Sequence, residues 1–138
     1  GSRNVSNDFK KTNDYDATMC VMKSKSGVLV HINNSRRAVY GYDQRLEVFG
    51  SKGMLISDNV SDYNINSYNQ NISFAKSPIK NFFIERYADA YRIQFDDFLN
   101  SIKLKKKTKV NFNDGKEALI LADCATKSVK LNKLIKIK

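Results

Sequence analysis

The sequence has no tryptophan, one proline, one histidine, two cysteines and six glycines in 138 residues. Each scarcity excludes a class of chemistry. His31 has no carboxylate or nucleophile at a telling spacing, so no catalytic triad can be drawn around it, and it reads as a surface or interface residue. Cys20 and Cys124 stand far apart in apolar-patterned segments, each without a second cysteine or a histidine at ligand spacing. Both are expected to be buried, reduced thiols, which points to the cytoplasm, and no metal site is expected. The glycines never fall into the G-x-G-x-x-G spacing of a dinucleotide loop. Gly50 and Gly53 give only a G-x-x-G hairpin turn, which lacks the helix N-terminus that a phosphate loop uses. No apolar run approaches the roughly 20 residues of a membrane helix.

What the chain has in excess is positive charge: 24 lysines and arginines against 14 acidic residues, or +10. Two readings stand. One is a basic nucleic-acid-binding module, for which Lys103 to Lys109 (KLKKKTK) is the single dense cluster. The other is a solvated loop between two helices. A content of 41% hydrophobic and 28% charged residues is that of a soluble globular protein. A chain of this length is expected to form one domain with a core of its own, burying about two thirds of its unfolded surface. Gly1-Ser2 has the look of a protease scar, and the polar, aperiodic stretch up to Asp14 reads as a linker end. Residues 1–13 are therefore assigned to scar and linker, and 14–138 to the domain.

Periodicity then orders the chain. Ala17 to Lys23 and Val28 to Asn33 alternate as strands on either side of the turn residues SKSG, a hairpin. Gln44 to Phe49 and Met54 to Ser57 make a second pair across GSKG, with Leu46 and Val48 inward. Asn59 to Ser77 holds one or two weak edge strands. Pro78 interrupts the chain before Phe82 to Lys103, where Tyr87, Tyr91, Phe95, Phe98 and Ile102 recur at helical steps. A second helix is expected from Asp114, whose spacing to Glu117 suggests a capping box, and Leu134 to Lys138 alternates as a short closing strand. The sum is an α+β domain: an open, mostly antiparallel sheet with two helices packed on one face. Apolar residues on both faces of the first strands imply that the open face also meets a partner, expected to be a second copy of the same sheet.

The stretch Asn34 to Gly53, NSRRAVYGYDQRLEVFGSKG, carries more polar and aromatic chemistry than a fold needs, and it reads as the part that reaches a ligand. Together with FFIERYADAYRIQFDDFLNSI and DGKEALILADCATKSVK it resembles the C-terminal domain of the glucose-fructose oxidoreductase and inositol dehydrogenase family, nearest the inositol 2-dehydrogenases. The resemblance runs from about Asp14 to Ile135. It implies a parent enzyme whose N-terminal Rossmann domain binds NAD, and a C-terminal domain that walls the polyol site and assembles dimers and tetramers. The family's cofactor loop, catalytic lysine and aspartate-histidine pair all precede the region matched, so no catalytic or cofactor-binding residue is assigned here and the chain alone is expected to be inactive. Carried over to this sequence, the YGYD motif makes Tyr42 the foremost substrate contact and Tyr40 its companion. Arg36, Arg37 and Asp43 are further polar candidates. A phenol can donate to and accept from a ring hydroxyl while its face covers the C–H surface of a sugar. An Arg–Asp pair that only shapes the loop is the competing reading for the charged residues.

Overall fold

The computed structural model describes residues 1–3, 7–12 and 14–137, so part of the expected linker (4–6 and 13) and Lys138 of the expected closing strand lie outside the described residues. Two compact units are present: Gly1–Arg37 with Asp97–Lys138, and Ala38–Asp96.

The first unit holds a helical turn α1 (Asn7–Lys10), strands β1 (Ala17–Lys23) and β2 (Leu29–Ser35), and helix α4 (Phe112–Leu131). β1 and β2 are antiparallel, and Val28, expected in the strand, instead belongs to the turn, where its N–H is held by Ser24 Oγ at 3.0 Å. The register places Cys20 opposite Ile32 and Met22 opposite Val30 on one face, with Val21 opposite His31 and Lys23 opposite Leu29 on the other. The faces differ in cover. Val30 and Ile32 are 41% and 42% exposed, against 71%, 75% and 72% for Met19, Val21 and Leu29.

Helix α4 begins three residues earlier than its sequence signature suggested. Its N-cap is Asn111, whose side chain accepts from Asn113 N at 2.8 Å, while Asp114 accepts from Asn111 N at 2.8 Å. Asp114 therefore completes the capping box rather than opening it. The helix ends at Asn132, in the left-handed conformation at φ 50°, a usual terminator. The closing strand is absent over residues 134–137, because alternation without a strand edge to pair with cannot satisfy the backbone.

The second unit contains β3 (Leu46–Gly50), β4 (Gly53–Ser57), β5 (Asn66–Asn69), β6 (Ile72–Lys76) and α2 (Phe83–Arg86). Helix α3 (Ala88–Lys103) starts in this unit and ends in the first. The single long helix expected from Phe82 is broken at Tyr87, at φ −110° and ψ 11°. The break is local, since Tyr87 N still donates to Phe83 O and Tyr91 N to Tyr87 O, both at 2.9 Å. Past α3 the lysine cluster is a charged connection, with Lys109 Nζ 3.3 Å from Asp97.

The α+β class and the antiparallel sense are as expected, but the sheet is not one surface. Among the described residues it consists of three two-stranded ladders, β1–β2, β3–β4 and β5–β6. Nor do α3 and α4 lie along a strand ladder within their units. Hairpins close through local turns and need little else, whereas joining them into a sheet and laying helices on it needs surface to bury. Such burial is scarce here. Among the described residues no hydrophobic side chain is fully buried. The expected self-contained core is absent, and both cysteines are half-buried rather than buried. The stripe on α3 is open too, with Tyr91, Phe95, Phe98 and Ile102 each more than half exposed.

Candidate functional site

The YGYD segment lies between β2 and β3, in the second unit, on a loop fixed at several points. Gly41 has φ +127° and is buried, and a Cβ at this position would lie 2.4 Å from Ile79 Cγ1. Only glycine fits that backbone and that gap. The next residue is tied to the same segment, with Tyr42 N donating to Lys80 O at 2.9 Å. Lys80 N in turn donates to Val60 O at 2.8 Å, and Ser61 bridges Ile79. The chain around Pro78 thus serves as the floor on which the tyrosine loop rests.

Tyr42 is half-buried and meets Tyr87 edge-on, with ring centroids 5.7 Å apart, and Tyr87 meets Tyr91 at 6.4 Å. Burial first, then the Tyr42 hydroxyl beside it, pushes the Tyr87 phenol above its ordinary pKa. The Arg86 guanidinium lies over the Tyr87 ring, 5.5 Å from its centroid. The result is a row of phenols at the start of α3, with Tyr42 brought to it from the loop.

Tyr40 faces a different partner. Its hydroxyl donates to Asp43 Oδ2 at 2.5 Å. Arg45 grips the same carboxylate with two bonds of 2.8 Å, from Nε to Oδ1 and from its terminal nitrogen to Oδ2. Asn59 Nδ2 adds a fourth, to Oδ1 at 2.7 Å, while Asn59 Oδ1 accepts from Gln44 N at 2.8 Å. Each carboxylate oxygen accepts twice, which accounts for the roughly four lone-pair sites of the group. Arg45, then Tyr40 and Asn59, hold the Asp43 carboxyl well below the usual carboxylate range. By the same contacts Asp43 pushes the Tyr40 phenol and the Arg45 guanidinium up.

Of the residues singled out in the sequence, the structure brings Tyr40 and Asp43 into contact, with Tyr42 between them in the chain on the pinned loop. Arg36 and Arg37 belong to the first unit. Arg36 pairs with Asp14 at 2.7 Å and lies over the Phe9 ring, and Arg37 stands 3.8 Å from Asp8. The arginine that meets Asp43 is Arg45. It alternates with Leu46 in the sequence and reads there as an ordinary outward strand residue. Asn59 carries no local signal and Tyr87 reads only as part of the helical stripe, because both reach the loop only through the fold. His31 lies opposite Val21 on the exposed face of β1–β2, a surface position as expected. Among the described residues no group of histidine, cysteine or acidic side chains is placed to hold a metal ion, and no helix is long and apolar enough to cross a membrane.

Residues 2–56 match the model of the GFO/IDH/MocA C-terminal domain. Over all 138 residues the chain is 40% identical to the myo-inositol 2-dehydrogenase of Thermotoga maritima, of which it covers 41%. It is 38% identical over 124 residues to the inositol 2-dehydrogenase of Rhizobium meliloti, covering 90% of this chain and 37% of that protein. The crystal structure of a myo-inositol dehydrogenase from Corynebacterium glutamicum superimposes with a TM-score of 0.93 at 37% identity, covering the whole of this chain and 41% of the other. The chain thus spans about two fifths of the length of the relatives it matches. In motif, fold and sequence the chain is thus similar over its whole length to inositol 2-dehydrogenases, and over residues 2–56 to the GFO/IDH/MocA C-terminal domain.

Proposed function

We propose that this chain is the substrate-side and assembly domain of an NAD-dependent inositol 2-dehydrogenase of the cytoplasm, which oxidises a ring hydroxyl of the polyol. The observation that carries the reading is its 40% identity, over every residue, to a myo-inositol 2-dehydrogenase. In this reading Tyr42 contacts the polyol. Its ring covers ring C–H groups, and its hydroxyl exchanges hydrogen bonds with a substrate hydroxyl. Tyr40 donates its hydrogen bond to Asp43 and offers its oxygen as an acceptor. NAD takes up the hydride when bound. The described residues offer it no fitting site: Gly50 and Gly53 close a β-hairpin, and no glycine-rich loop runs from a strand into a helix. Cofactor binding and proton removal are accordingly assigned to the part of the protein beyond this chain.

The exposed apolar faces support the assembly role. On β3–β4 both faces are uncovered, Leu46, Val48 and Leu55 on one and Phe49, Met54 and Ile56 on the other. Such surface is a sign of contact with further protein. The rest of the enzyme and a second copy, giving a dimer or tetramer, are the proposed cover. The test is NADH formation at 340 nm with myo-inositol. The full-length protein should turn over and this chain alone should not. Failure of the full-length protein with myo-inositol, but turnover with another sugar or polyol, would keep the family and change the substrate.

A further inference from the structure

We propose that Asp43 is the anchor of the substrate loop rather than a ligand for substrate, and that Arg45 and Asn59 are positioning residues acting through it on Tyr42. The inference rests on the reading of Tyr42 as a polyol contact. Its basis is geometric. A carboxylate that accepts four hydrogen bonds, two on each oxygen, has no acceptor left for a polyol. The four donors come from both flanks of the loop: Tyr40 before it, Arg45 after it, and Asn59 from the segment beyond β4. Asn59 also holds the loop backbone, through Gln44 N. With Gly41 seated against Ile79 and Tyr42 N bonded to Lys80 O, every residue from Tyr40 to Arg45 has a fixed partner. The side chain of Tyr42 is thereby aimed by contacts that do not touch its ring.

This arrangement differs from a substrate site in what it tolerates. A ligand carboxylate needs its charge free, whereas an anchor needs its partners matched. Arg45 delivers two bonds in one plane, which lysine reproduces only in part. Asn59 supplies an amide donor, and an aspartate there would set two carboxylates against each other.

The test is steady-state kinetics of the full-length enzyme with myo-inositol and NAD, with variants checked for folding by circular dichroism. Tyr42→Phe serves as the control for the polyol contact. Asp43→Asn should raise the KM for the polyol roughly ten- to a hundredfold, the scale of a small misplacement, with the KM for NAD unchanged. Arg45→Lys should fall between wild type and Arg45→Ala, and Asn59→Asp should be worse than Asn59→Ala. If Asp43→Asn fails to fold, the graded Arg45 and Asn59 series decides. A raised polyol KM in Tyr42→Phe alongside a wild-type KM in Asp43→Asn and Arg45→Ala would overturn the anchor role and leave the substrate reading standing. A wild-type KM in Tyr42→Phe would remove the substrate reading, and the anchor role with it.

Discussion

Tyr40 Oη and Asp43 Oδ2 lie 2.5 Å apart, and the phenol is the donor. The bond joins two residues of one motif across a glycine whose conformation no other residue adopts easily. It ties the chemistry of the loop to its shape.

That bond has a pH signature. Asp43 raises the Tyr40 pKa, so replacing Asp43 with asparagine should return Tyr40 toward the ordinary value of about 10. Ultraviolet titration near 295 nm, comparing the full-length protein with Asp43→Asn and using Tyr40→Phe to assign the signal, reads the change directly. An unaltered Tyr40 titration would break the pairing.

Acid acts on the same pair from the other side. The folded Asp43 carboxyl titrates below its unfolded range, so its contribution to stability is fully present above that range, near pH 4, and is lost as pH falls toward the folded value. Wild type should lose stability between about pH 4 and pH 2 more steeply than Asp43→Asn. Denaturant melts of the full-length protein at stepped pH would show it, and parallel curves would contradict it.

At Gly41, alanine would combine a left-handed backbone with a carbon 2.4 Å from Ile79 Cγ1. Gly41→Ala should destabilise the full-length protein by about 1–3 kcal/mol, the range for a strained backbone position. Shortening Ile79 to alanine in the same protein should not restore it, because the backbone strain remains. Full recovery in the double variant would assign the whole cost to the side-chain clash.

For α4, Asn111→Ala removes the side chain that accepts from Asn113 N and should cost about 1 kcal/mol, with Asn111→Ser nearly neutral. Glu117→Ala should have little effect. A larger loss at Glu117 than at Asn111 would move the cap back to Asp114.

The missing core leads to a further expectation. With no apolar side chain fully buried among the described residues, the isolated 138-residue chain should bind a hydrophobic dye such as ANS and show no sharp thermal transition. The full-length protein should do neither. A cooperative transition in an isolated chain that sediments as a monomer would contradict this.

Local signals are legible in the sequence and long-range ones are not. The first two hairpins declare themselves through alternation and turn residues, and the break before α2 through Pro78. At the start of α4, Asp114-x-x-Glu117 imitates the capping-box pattern that Asn111-x-x-Asp114 in fact makes. At the site, Tyr40, Tyr42 and Asp43 stand out by composition, whereas Asn59 is sixteen residues from Asp43 and reaches it only after β3 and β4 have turned back. The single sheet is an expectation from hairpin alternation, and the core one from chain length. Length does not show which apolar faces stay exposed.

The central claim is that Tyr42 touches the polyol. It is tested most directly by the kinetics of Tyr42→Phe in the full-length enzyme, with myo-inositol and NAD varied separately at 340 nm. The account predicts a raised KM for myo-inositol with the KM for NAD unchanged. Identical kinetics in the variant and the wild type would contradict it.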